Sequence, residues 1–279
     1  MPELPEVEVA AKNLRRWGRG HEIVSVDAAA TRVLRPAAPR DLQPLVGATI
    51  REVRRVGKNL LLELARRGRP IGALSHLGMT GKWLRRDDDA PAPRHSRIRL
   101  FLDDGGVLHY CDQRMFGRFR VVPGARWDEV AELAALGPDP LTDGIDPKRL
   151  AAALARTRRP VKVALLDQAL LPGVGNIQAG EALFRARIDP RRAANTITAA
   201  EARRIAAGVI ASIHHTLDAF ARLGQDSDRA DIEYVEEGGE NPFSVYDRAG
   251  ETCPHCHHTR IERVVLGGRS TYFCPRCQR

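Results

Sequence analysis

The chain opens on Met1-Pro2-Glu3-Leu4-Pro5-Glu6-Val7-Glu8, a proline at position two with carboxylates directly behind it. Removal of the initiator methionine ahead of so small a residue is expected, and it would leave Pro2 as a secondary amine. An α-amino group titrates near ~8, against ~10.4 for lysine, so a useful fraction is unprotonated at neutral pH and can attack an electrophilic carbon. The same residues also read as a plain helix start. Pro5 would sit in the first turn of a helix running to about Arg16, with Glu3 and Glu6 complementing its dipole.

A second chemical group closes the chain. Cys253-x-x-Cys256 and Cys274-x-x-Cys277 supply four thiolates on two tight turns, the donor set and spacing of a structural ribbon holding one Zn²⁺. His255, His257 and His258 lie between the pairs as competitors, but the two pairs already complete four-coordination. Cys111 stands alone in an apolar run and reads as a buried small hydrophobe. Leu171-Pro172-Gly173-Val174-Gly175-Asn176 is a turn whose glycines would let backbone approach a phosphate, or simply a helix stop and restart.

These groups need elements to position them. Short alternating runs at 23–26, 48–53, 60–64, 71–74, 98–102, 107–110 and 119–122, punctuated by Pro and Gly, predict an antiparallel sandwich or barrel-like sheet pair. Asp103-Asp104-Gly105-Gly106 is a hairpin turn by composition, and Arg85 to Pro93 a surface loop. From residue 128 the apolar spacing becomes helical, over 128–136, 147–155, 161–168, 177–186 and 199–223, the last capped by Thr198 and Glu201. Residues 225–247 are an acidic linker, and 261–266 with 270–273 form a two-stranded ribbon. The division expected is 1–127, 128–224, 225–247 and 248–279, a multidomain α+β chain.

Composition narrows the partners. The 279 residues carry a formal charge of +9, which favours a polyanion, nucleic acid first. No apolar run approaches the ~20 residues of a membrane span, and no secretory pattern opens the chain. A cytoplasmic monomer without a membrane partner is expected.

Six blocks in this order resemble the formamidopyrimidine-DNA glycosylase family. They are the opening eight residues, Gly57-Lys58-Asn59-Leu60-Leu61, His76-Leu77-Gly78-Met79-Thr80-Gly81, Asp112-Gln113-Arg114-Met115-Phe116-Gly117, Gly173-Val174-Gly175-Asn176-Ile177, and Gly268-Arg269-Ser270-Thr271 before the second cysteine pair. The resemblance implies an N-terminal two-sheet β-sandwich, a helix-two-turn-helix domain and a zinc ribbon. It also implies excision of oxidised bases from damaged double-stranded DNA, followed by a nick at the abasic site. In that chemistry the Pro2 amine attacks C1′, the base leaves, and the resulting iminium draws electrons for β- and δ-elimination. Glu3 matches the acid that protonates the sugar ring and Glu6 its supporting acid. Lys58 matches a phosphate contact near the lesion. His76, His95, Lys162, Asn176 and Arg269 match further DNA contacts. Met79, Arg114 and Phe116 match three side chains that fill the gap left by a flipped nucleotide.

The resemblance departs at four places. Met115 replaces a second basic residue, Gln178 a tyrosine, and Arg97 the second histidine of a His-x-His pattern that begins at His95. An acidic stretch at 225–243 stands where relatives that excise 8-oxoguanine carry a lesion-capping loop. Preference for formamidopyrimidines and 8-oxoguanine, an endonuclease VIII-like preference for oxidised pyrimidines, and silent damage binding are the readings left, and intact Pro2, Glu3 and Glu6 speak against the last.

Overall fold

The computed structural model describes residues 2–222 and 241–279. Most of the acidic stretch, including the lesion-capping question attached to it, lies outside the described residues. The chain divides into two compact units, residues 2–134 with 220–222, and residues 135–219 with 241–279.

The first unit begins with α1 (Leu4–Gly18), which carries Pro5 in its first turn and buries Leu4, Val7, Ala11, Leu14 and Trp17 at helical spacing. Eight strands follow: β1 (Glu22–Ala28), β2 (Ala48–Val56), β3 (Asn59–Arg66), β4 (Arg69–His76), β5 (Lys82–Asp87), β6 (Ser96–Leu102), β7 (Gly106–Cys111) and β8 (Arg118–Pro123). They pair in the order β5-β7-β6-β1-β2-β3-β4-β8, antiparallel throughout. The two layers of the sandwich thus come from one ladder that rolls over on itself. Register shifts at Ile23/Ser25, Ile50/Glu52 and Ser96/Ile98 supply the bends.

The roll is closed by aromatic residues from opposite ends of the ladder. Trp83 on β5 meets Phe119 on β8 edge to face, with ring centroids 5.7 Å apart. Its indole Nε1 donates to Ser75 Oγ on β4 at 3.1 Å. Trp83, Tyr110 and Phe119 are all buried, so this contact is the centre of the core.

Two expectations change here. Arg85–Asp87, expected in a loop, complete β5: as an edge strand it carries charged side chains outward, and Arg85 binds Asp104 of the 103–106 hairpin at 2.6 Å. That hairpin turns at Gly105, with φ +78°. The helix expected over 128–136 is instead a 3₁₀ turn (Trp127–Glu129) followed by the single turn α2 (Ala131–Ala134). Val130 interrupts it in extended backbone because Val130 and Trp127 both pack onto Leu61, Leu74 and Val122.

The second unit holds α3 (Pro147–Leu154), α4 (Val161–Ala164), α5 (Asn176–Ala186), α6 (Ala199–Arg222) as far as Ala219, β9 (Glu262–Leu266) and β10 (Arg269–Phe273). α4 stops four residues short of the expected Gln168. The Gln168 side chain serves the next turn instead, donating to Val174 O at 3.0 Å and accepting from Gly173 N at 3.0 Å. α6 has the expected capping box, Glu201 N to Thr198 Oγ1 at 3.2 Å and Thr198 N to Glu201 Oε2 at 2.8 Å. β9 and β10 form a hairpin turning on Gly267 and Gly268, both at positive φ. No helix among the described residues is long and apolar enough to cross a membrane.

Because the Trp83 ring ties the two ends of the ladder, Trp83→Ala is expected to destabilise the first unit by about 3–5 kcal/mol. Urea unfolding followed by far-UV circular dichroism measures this, and a loss below about 1 kcal/mol would contradict the closure described.

Candidate active site

The start of α1 concentrates acidity in a dry place. Pro2, Glu3 and Glu6 are all buried, the two carboxylates at 1 % exposure each. Glu3 N donates to Glu6 Oε2 at 2.9 Å, so the supporting acid holds the backbone of the residue beside Pro2. Burial, reinforced by the nearby Glu3 charge, pushes the Glu6 carboxyl up to about 7. A carboxyl in that range holds a proton at neutral pH about half the time, the condition for proton exchange with a neighbour. Both readings of the opening stretch therefore describe the same residues: the helix start is what presents the acids.

Lys58 occupies the tip of the β2–β3 hairpin, where Val56 pairs with Asn59 around Gly57 at φ +59°. Arg55 anchors the tip. Its Nη1 donates to Gly57 O at 3.1 Å and its Nε to Glu8 Oε2 at 2.8 Å, with the Arg55 side chain only 1 % exposed. A buried ion pair thus fixes the Lys58 hairpin to the helix that begins at Pro2. Cross-strand pairing then sets Asn59 opposite His76, and His76 opposite Arg118. Burial, with Lys58 and then Arg118 adding repulsion, lowers the His76 imidazole to about 4. Gly78 N donates to His76 Nδ1 at 3.0 Å, which requires a bare Nδ1 and puts the proton of the neutral ring on Nε2. His76 can therefore offer a phosphate a hydrogen bond but no charge.

Met79, Arg114 and Phe116 stand on two loops that lock together. Asp112, fully buried, accepts from Thr80 Oγ1 at 2.6 Å and from Gly117 N at 2.8 Å. Thr80 Oγ1 in turn accepts from Arg114 N at 3.1 Å. Glycine is required at the contact: a Cβ on Gly117 would lie 1.7 Å from the Tyr110 hydroxyl, and one on Gly78 2.5 Å from Gly117 N. The two loop tips remain in solvent, Met79 at 37 % and Phe116 at 48 % exposure, and the Arg114 guanidinium stacks on the Phe116 ring at 4.9 Å. Large apolar side chains held out on a rigid base suit insertion into a base stack. His95 is exposed at positive φ, and its carbonyl accepts from Asp112 N at 3.1 Å, so it borders the same loops.

In the second unit the residues expected to touch DNA form a separate cluster. Asn176 opens α5, where the positive end of the helix dipole favours an anion. Its Nδ2 donates to Ser270 O at 3.0 Å, tying α5 to the β9–β10 hairpin, whose exposed Arg269 begins β10. Lys162 does not face outward. It is 1 % exposed, and its Nζ donates to Asn176 Oδ1 at 2.5 Å, Thr271 Oγ1 at 2.6 Å and Ser270 O at 3.1 Å. It positions Asn176 and the Arg269 strand where a direct DNA contact was expected.

The ribbon brings all four cysteines together, their Sγ atoms within 4.8 Å of one another. Cys253 and Cys277, and likewise Cys256 and Cys274, are separated by 3.8 Å. Four sulfurs at about 2.3 Å from a tetrahedral Zn²⁺ lie about 3.8 Å apart, so the residues fit the ion. No histidine joins the cluster among the described residues; His255 contacts Arg187 Nη2 instead. The ribbon shares a core with Phe184 of α5, and the buried Glu181 accepts the backbone N–H groups of Ser244, Val245 and Tyr246 at 2.9–3.0 Å.

Sequence reasoning missed Arg55, Thr80, Asp112 and Glu181. Thr80 and Asp112 lay within quoted blocks, but nothing in their types distinguishes a buried acceptor from a solvated one. Only pairing across the fold does.

Two measurements follow from this geometry. Glu6 titrates near its ordinary 4.5 when unfolded and near 7 when folded. Its protonated form therefore supports the fold fully below about 4.5, and that contribution is lost as pH rises through 7. Relative to Glu6→Gln, wild-type stability is expected to fall by on the order of 2–3 kcal/mol between pH 5 and pH 8; parallel urea stability curves would contradict the buried acid. Cys274→Ser is expected to release zinc and weaken DNA binding while leaving the first unit folded. Metal analysis with anisotropy titration checks it, and unchanged binding by a verified zinc-free protein would remove the ribbon from the interface.

Comparison with known proteins covers the whole chain. Three family models match: the formamidopyrimidine-DNA glycosylase N-terminal domain over residues 1–119, the H2TH domain of the same proteins over 136–226, and a zinc finger found in FPG and IleRS over 250–279. The formamidopyrimidine-DNA glycosylase of Laribacter hongkongensis is 39% identical over 281 residues, covering 100% of both chains. That of Symbiobacterium thermophilum is 41% identical, covering 100% of this chain and 89% of its own. Among solved structures, wild-type Lactococcus lactis Fpg (MutM) bound to DNA containing N7-benzyl-Fapy-dG superposes with a TM-score of 0.85 at 30% identity over 100% of both chains. A MutM complex with DNA containing carbocyclic 8-oxo-G gives 0.84 at 29%, again over 100% of both. With its whole length matched in this way, the chain belongs to the formamidopyrimidine-DNA glycosylase family.

Proposed function

We propose that this member of the family is a bifunctional DNA glycosylase and abasic-site lyase of base excision repair, acting through Pro2 on oxidised bases in duplex DNA. The observation that carries the reading is the buried pair Glu3 and Glu6, hydrogen-bonded at the start of α1 beside Pro2, with the Glu6 carboxyl raised to about 7. The Pro2 nitrogen adds to C1′ of the flipped nucleotide while Glu3 gives its proton to the ring oxygen, and the base departs. Glu6 holds Glu3 in place through its backbone N–H and carries an exchangeable proton. Ring opening and departure of the base leave an iminium at C1′, which acidifies C2′; loss of the C2′ proton expels the 3′ phosphate, and loss of a second proton, from C4′ of the conjugated product, expels the 5′ phosphate.

The remaining residues hold the strand. Lys58 and the neutral His76 line one edge of the sandwich, with His95 bordering the loops nearby. Met79, Arg114 and Phe116 occupy the gap in the stack. Asn176 and Arg269 take phosphates from the second unit, positioned by Lys162, and the zinc ion on Cys253, Cys256, Cys274 and Cys277 stabilises the strand that carries Arg269. The division into 1–127, 128–224, 225–247 and 248–279 assigns the amine and the wedge to the first part and the clamps to the second and last. The enzyme works as a monomer in the bacterial cytoplasm, at the nucleoid.

Borohydride trapping on duplexes carrying 8-oxoguanine, formamidopyrimidine, dihydrouracil or an abasic site tests the proposal and ranks the lesions. Wild type is expected to yield a covalent adduct, Pro2→Gly to lose it, and Glu3→Gln to slow base release by about 10²-fold. Absence of an adduct on every duplex, or equal trapping by Pro2→Gly, would refute the mechanism.

A further inference from the structure

Beside the wedge lies a cleft of about 720 Å³ that the assigned residues leave unused. Its lining includes Arg32, Arg35, Arg118 and Arg120, with Phe116 at one wall and Glu132 as an acid. The local sequence explains the convergence. In the 3₁₀ turn Arg32–Leu34, Val33 and Leu34 are buried, which throws the flanking Arg32 and Arg35 outward, and Arg118 begins β8 exposed. Glu132 is committed to Arg120 at 2.7 Å. The guanidinium groups of Arg32, Arg35 and Arg118 have no hydrogen-bond or ion-pair partner among the described residues.

Exposed arginines are usually just solvated, so position has to carry the argument. Arg118 sits directly across the β4–β8 ladder from His76, which itself pairs with Asn59 next to Lys58. The row of phosphate-binding residues therefore runs on into the cleft, past Phe116. A volume of this size is in the range that takes an extended ligand, more than one isolated phosphate needs. A second arginine-lined hollow makes the contrast: Arg66, Arg67 and Arg69 flank a cleft at the other end of β4, seven residues or roughly 23 Å from His76, away from wedge and row.

We propose that Arg32, Arg35 and Arg118 form a further phosphate-binding track, which grips consecutive backbone phosphates of the DNA arm lying beyond the Phe116 wedge. The proposal rests on the DNA-repair reading above. The track holds the kinked duplex against the wedge, so its contribution is to grip and is independent of lesion chemistry.

The test measures duplex binding by anisotropy between about 50 and 200 mM salt, on an undamaged duplex and on one with a stable abasic-site analogue. Arg32→Ala/Arg35→Ala/Arg118→Ala is compared with Arg66→Ala/Arg67→Ala/Arg69→Ala, which removes the same charge. The cleft triple is expected to lower the slope of log K against log salt by about 2–3, at ~0.9 per phosphate, and to raise Kd at least about tenfold on both duplexes. Arg35→Ala alone is expected to lower the slope by about one, and the control triple by less than that. An unchanged slope for the cleft triple, or equal losses from both triples, would overturn the track. Trapping of wild type on damaged duplexes separates the two readings: binding without an adduct refutes the enzyme mechanism and leaves the slopes to judge the cleft, whereas no binding at all refutes both.

Discussion

The carboxylate of Asp112 is the interaction on which the first unit's site depends. A fully buried carboxyl without hydrogen-bond donors would be costly, and here it receives the Thr80 hydroxyl and the Gly117 amide from two different loops. Its main chain is engaged as well, with N donating to His95 O and O accepting from Arg97 Nε at 2.9 Å. One residue thereby fixes the spacing of Met79, Arg114, Phe116 and His95. Removing either hydrogen-bond donor would leave a buried acceptor underserved, so the loops hold together more firmly than their exposure implies.

The second unit solves the same problem with the opposite sign. Lys162 puts an amine in the interior and surrounds it with oxygens from Asn176, Ser270 and Thr271. Thr271 Oγ1 passes the pattern on, donating to Arg269 O at 3.2 Å. In each unit a buried polar hub sets the groups meant for the ligand, and those groups extend from it into solvent. This arrangement keeps functional side chains within hydrogen-bond tolerance of their working geometry without burying them.

Much of this was legible in the chain and some was not, for identifiable reasons. Strands, ribbon, α6 cap and cysteine cluster follow from periodicity, Gly-Gly turns and spacing, all of them local signals. The single rolled ladder was not legible, because β5 and β8 meet through Trp83 and Phe119, residues far apart in sequence. β5 itself was hidden behind charges that an edge strand tolerates. Lys162 is a related case: residue type marks a lysine as a phosphate ligand, and nothing local reveals that β10 supplies it with acceptors. Pro2, Glu3 and Glu6 were legible as chemistry, whereas the raised Glu6 carboxyl needed burial to be seen.

Glu8 and Arg55 show how far such positioning reaches. The Glu8 carboxylate follows Glu6 on α1, yet it faces the Arg55 guanidinium where Glu6 accepts from the Glu3 backbone. Arg55 neutralises Glu8 and holds Gly57 O, so the Lys58 hairpin is registered to α1 by charge. At Glu6, burial and the Glu3 charge outweigh the attraction of the N-terminal amine and control the proton. Within the first eight residues, burial thus pushes the Glu6 carboxyl towards neutrality, while Glu8 is paired with Arg55 of β2. The opening stretch can serve both as a scaffold and as a proton source because its acids are given different partners.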